Sequence, residues 1–140
     1  MFDPTREQVR ETFFRAWKNY REGVPLTGME GLALEVILQH PEYHGVLADP
    51  GRYRDRDYVD ESNPFLHMSL HMALEEQLSI DQPPGIRRHW EALLARAGDR
   101  HEALHHALEC LAETVWRAQR DRAPPDAAAY LSCLERRART

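Results

Sequence analysis

Apolar residues recur at three- and four-residue intervals, in blocks separated by proline, glycine and capping residues, and that rhythm predicts helices. Asp3-Pro4 places a capping residue before a proline, and Val9, Phe13, Phe14, Trp17 and Tyr20 then form one apolar face that ends before Gly23 and Pro25. Thr27-Gly28-Met29-Glu30 has the form of a capping box and opens a second helix carrying Leu32, Leu34, Val36, Ile37 and Leu38. Pro41 interrupts that helix, because the residue before a proline is pushed out of the α region. A short turn from Pro41 to about Leu47 follows, and the polar, aperiodic residues 48–62 read as a long loop.

Asn63-Pro64 opens a third helix that reaches about Ser79, and Asp81-Gln82-Pro83-Pro84-Gly85 breaks the chain after it. A fourth runs through Trp90, Leu93 and Leu94 to a stop at Gly98. Asp99, with Glu102 three residues on, opens a long fifth helix to about Arg120. Pro124-Pro125-Asp126 starts a short last one through Tyr130, Leu131 and Leu134. β-branched residues nowhere alternate over a strand's length. The expectation is an all-α fold, a helical bundle of about five to six helices that forms a single domain over residues 1–140.

The chemistry lies in a repeat. His67-Met68-Ser69-Leu70-His71-Met72-Ala73-Leu74-Glu75 in the third helix matches His101-Glu102-Ala103-Leu104-His105-His106-Ala107-Leu108-Glu109 in the fifth. The two share H-x-x-L-H-x-A-L-E, six identities in nine positions at an offset of 34 residues. At about 100° per residue, His67 and His71 share a stripe with Leu70, Leu74 and Leu78, and His101 and His105 share one with Leu104, Leu108 and Ala112. The histidines are therefore expected to face the core. There a metal ion satisfies several imidazoles at once, and histidines at i and i+4 are spaced to grip one ion. His67 to Glu75 spans about 12 Å of helix rise, too far for one ion. The predicted site is therefore two ions along the face, or a first shell of His71, Glu75, His105 and Glu109 supported by His67 and His101. A third pair, His40 and His44 in HPEYH, is a further candidate, so six of the 8 histidines fall in such pairs. His89 and His106 read as surface residues.

Composition narrows the picture without naming a reaction. The chain has 140 residues, 42% hydrophobic and 29% charged, which is ordinary globular usage and enough for one core. A net charge of −5 offers no global field for nucleic acid or anionic lipid, and the basic run Arg136-Arg137-Ala138-Arg139 reads as a solvated tail. No apolar run approaches the roughly 20 residues that span a bilayer, and no signal-peptide pattern opens the chain. Cys110 and Cys133 lack metal or redox spacing and read as free thiols of a cytoplasmic protein.

The strings LALEVILQHPEYH, NPFLHMSLHMALEEQLSIDQPPGI, ALECLAETVWRAQR and PPDAAAYLSCL resemble the bacterial family known as domain of unknown function 1841. The likeness runs over nearly the whole chain and implies that fold and site are shared with that family, which brings no assigned activity. In general plan the sequence also looks like hemerythrin-type and ferritin-type bundles, though its ligand spacings differ from theirs. The expected cofactor is a divalent metal, iron first, with zinc and manganese as alternatives. Three functions follow: a non-haem iron protein of the dinuclear class, acting in oxygen or redox chemistry; a protein that binds, senses or stores zinc, nickel or iron without catalysis; or a metal-free interaction module.

Overall fold

A computed structural model describes residues 6–56, 58 and 63–139. The Asp3-Pro4 start signal lies outside them, as does part of the predicted 48–62 loop. Among the described residues the chain forms eight α-helices and one 3-10 turn, and no strand. The helices are α1 (Arg6–Glu22), α2 (Gly28–Leu38), α3 (His44–Leu47), α4 (Pro50–Tyr53), α5 (Pro64–Ile80), α6 (Ile86–Ala97), α7 (Arg100–Asp121) and α8 (Ala127–Arg139), with the 3-10 turn at Pro41–Tyr43. The all-α class holds, but five to six helices undercounts them. The extra ones are the single turns α3 and α4, too short to show an apolar period. α4 sits inside the stretch expected to be loop, and its signal was local: the Asp49 carboxylate caps Arg52 N ahead of Pro50 at the first helical position.

Most helix ends are where the capping chemistry puts them. Glu30 reaches back to accept from Thr27 N at 3.3 Å, the Asn63 side chain accepts from Phe65 N and Leu66 N, and Asp99 accepts from His101 N. Gly98 closes α6 in the left-handed region, at φ 72, where a side chain would be strained.

The chain falls into two compact units, residues 1–72 and 73–140, divided within α5. The first has a core of Phe13, Phe14, Ala16 and Trp17 from α1, Ala33, Val36 and Ile37 from α2, Leu47 from α3, and Phe65 and Met68 from α5. Arg10 sits in the same apolar stripe of α1 and is 2% exposed. It donates from one guanidinium nitrogen to the main-chain oxygens of Arg54 (2.9 Å), Arg56 (2.7 Å) and Tyr53 (3.5 Å), and it lies over the rings of Phe65 and Tyr58.

The second unit packs α6, α7 and α8 together with the end of α5. Leu74, Ile86, Leu93, Leu104, Leu108, Leu111, Tyr130 and Leu134 are all buried there. Cys110 and Cys133 are not free thiols. They form a disulfide joining α7 to α8, and no cysteine is free. Their separation of 23 residues carries no motif; it is the turn at 122–126 that folds α8 onto α7 and brings the two positions together. The basic run is largely exposed, as a solvated end would be, but it is helical. It forms the last turns of α8, where Arg137 pairs with Glu109 at 2.6 Å and Arg139 with Glu135.

Candidate metal centre

His40, His67 and His71 come together in the first unit. Each contributes one ring nitrogen to a set lying within 4.8 Å of one another, the one such group of three or more histidine, cysteine or acidic side chains among the described residues. The ring centroids are 5.0 Å apart for His40 and His67, 4.6 Å for His40 and His71, and 5.0 Å for His67 and His71. His40 and His71 are 5% and 4% exposed, while His67 is partly buried and forms the open edge of the group.

Local sequence explains how each ring arrives. His67 and His71 are one helical turn apart on α5, whose buried stripe runs through Phe65, Met68, His71 and Leu74. That stripe is rotated from the expected one, so His71 lies within it and His67 at its edge. His40 lies just beyond the end of α2. Pro41 forces it off the helical path to φ −128 and ψ 67, and its ring turns back to bond the α2 carbonyl of Val36 through Nδ1 at 2.8 Å. Because a carbonyl only accepts, Nδ1 carries the proton and Nε2 presents a lone pair. That lone pair points at His67, whose Nε2 is 3.2 Å away.

Two nitrogens bound to one tetrahedral ion at about 2.0–2.1 Å lie roughly 3.3 Å apart, so the His40–His67 spacing is that of two ligands on a shared ion. The backbone bond that fixes the His40 tautomer is the usual support of a metal-binding imidazole. Tyr43 flanks the group, its ring parallel to His40 at 5.4 Å and edge-on to His67 at 6.2 Å. Burial, and then the neighbouring Glu42 charge, push its phenol pKa up.

The remaining candidates are placed elsewhere. His44 stacks on Trp17 at 4.2 Å and its Nε2 lies 3.0 Å from Ile37 O. Glu75 pairs with Arg100 at 2.9 Å and Glu109 with Arg137. His101 and His105 do not face the core: both are exposed, their rings 4.6 Å apart. The buried side of α7 is Ala103, Leu104, Ala107, Leu108, Cys110, Leu111 and Thr114, a stripe centred roughly a third of a turn or slightly more from these histidines. Leu104 and Leu108 belong to its edge, and reading them as its centre misplaced the imidazoles. His106 is partly buried rather than on the open surface, with Arg137 3.0 Å from its Nδ1.

The sequence reading missed Arg10 and Tyr43. Arg10 stands at i, i+3, i+4 and i+7 with Phe13, Phe14 and Trp17, a cation in the middle of an apolar stripe, which is a readable sign of a buried, hydrogen-bonded guanidinium.

An all-helical chain with a buried trihistidine cluster is the class of protein these observations define. The chain belongs to the family described as Domain of unknown function (DUF1841), whose pattern matches residues 5–136. No curated protein and no solved structure matches it. No described helix is long and apolar enough to cross a membrane.

Proposed function

We propose that this is a metal-binding protein that holds one borderline divalent ion, iron(II) or zinc, on His40, His67 and His71. The observation that carries the reading is the convergence of three ring nitrogens, two of them 3.2 Å apart, with the His40 tautomer fixed by Val36 O. Three neutral imidazoles suit iron, zinc, nickel or copper, whereas manganese prefers oxygen ligands. Both cysteine sulfurs are tied in the disulfide and supply no thiolate.

A single ion fits better than a pair. A dinuclear centre uses bridging carboxylates, and Glu75 and Glu109 are engaged by arginines. Three protein ligands leave at least one coordination position for water or a substrate, the arrangement of catalytic rather than purely structural sites. With iron there, the chemistry is that of oxygen or redox reactions; with zinc, it is polarisation of a bound water or carbonyl.

The competing reading is a metal-free polar cluster in which His67 Nε2 and His40 Nε2 share one hydrogen bond. Metal content by plasma mass spectrometry on untagged protein decides between them. Stoichiometric iron or zinc, lost in a His67→Ala, His71→Ala variant that still folds, supports the site. Negligible metal in both proteins after anaerobic reconstitution overturns it.

A further inference from the structure

The second copy of the histidine repeat is not part of the buried cluster, yet its geometry is that of a ligand pair. His101 and His105 stand one turn apart on the exposed side of α7, with ring centroids 4.6 Å apart. Among the described residues neither ring is held by a hydrogen bond or an ion pair; beyond the backbone ladder of α7, the contact of His101 is its backbone N–H to the Asp99 carboxylate. This separates them from His44 and His106, whose ring nitrogens meet Ile37 O and Arg137. Two uncommitted imidazoles at i and i+4 can each turn a lone pair toward one point outside the helix, at no cost in broken contacts.

We propose that His101 and His105 form a second metal site: a solvent-open, two-imidazole clip for a borderline divalent cation such as zinc, nickel or copper. It is independent of the buried cluster and weaker, because two protein ligands hold the ion and water completes its coordination. Exchange there is fast, since nothing covers the ion. The ion also ties residues 101 and 105 across one turn and so stiffens the start of α7, just after the α6–α7 junction at Gly98 and Asp99.

The test is a zinc titration of the full chain against a chromophoric chelator, run on the wild type, on His101→Ala, His105→Ala and on His67→Ala. Both surface changes are to alanine in exposed helix, which favours the fold. The wild type is expected to bind in two classes, with the weaker lost from the double variant and retained in His67→Ala. Hydrogen exchange supplies a second readout: zinc is expected to slow the amides of residues 105–108 in the wild type and not in the double variant.

An isotherm of the double variant that superimposes on the wild type, or α7 amides indifferent to zinc, overturns the clip. Loss of all binding in His67→Ala overturns the clip and leaves the buried site standing. Loss of all binding in the double variant does the reverse, and no binding in any of the three proteins removes both.

Discussion

His40 Nε2 and His67 Nε2 meet at 3.2 Å although 27 residues separate them in the chain, and they meet because the other nitrogen of His40 is held on Val36 O. The two histidines therefore carry different loads. His67→Ala removes a partly buried ligand and is expected to abolish binding at the buried site with little change in the urea midpoint. His40→Ala removes the ligand and one of the two hydrogen bonds to Val36 O, whose other donor is Gln39 N at 3.1 Å, and is expected to cost about 1 kcal/mol as well. Glu75→Gln and Glu109→Gln are expected to leave metal content unchanged, since each carboxylate is engaged by an arginine. Metal analysis beside urea denaturation checks all four.

The disulfide between α7 and α8 closes a loop of 23 residues and should stabilise the folded chain by about 3 kcal/mol through the unfolded state. Thermal unfolding with and without a strong reductant measures this. Cys133→Ser should melt at the temperature of the reduced wild type and show no response to the reductant.

Tyr130 is buried, donates to Gln77 Oε1 at 2.8 Å, and has its phenol pKa pushed far above the ordinary 10.0 by burial. The unfolded chain therefore ionises this group first. Its contribution is complete below about pH 10 and is lost as pH rises from there toward the folded value. Urea midpoints at about pH 9 and about pH 11 should differ, and the difference should shrink in Tyr130→Phe.

Much of the fold is legible because capping is local. Thr27 with Glu30, Asn63 with Pro64, and Asp99 each mark a helix start with side chains that can be read from the sequence. The candidate site was legible only in part, because ligation depends on which way a stripe faces. The same H-x-x-L-H-x-A-L-E letters on α5 and α7 put His71 inside one unit and His101 and His105 on the surface of the other. The difference lies in neighbours: Phe65 and Met68 pull one stripe toward His71, while Ala103, Ala107 and Leu111 centre the other away from the imidazoles. The third buried ligand, His40, depended on Pro41 turning the chain, an effect visible as a kink but not as a direction.

Arg10→Ala is expected to cost about 2–4 kcal/mol, since it removes the bonds of a buried guanidinium to three main-chain oxygens and empties a packed volume. Arg10→Lys should recover only part of this, because a lysine lacks the planar guanidinium that packs over the rings of Phe65 and Tyr58. Chemical denaturation of both variants measures the two costs.

The partners of Arg10 at 53, 54 and 56 are main-chain oxygens, and any amino acid supplies one. Across relatives of this chain, these bonds ask nothing of the side chains at those three positions, whereas they require the donor at position 10. As far as Arg10 is concerned the segment is fixed in place without being fixed in spelling, and an alignment of the family should keep the arginine even where those letters change.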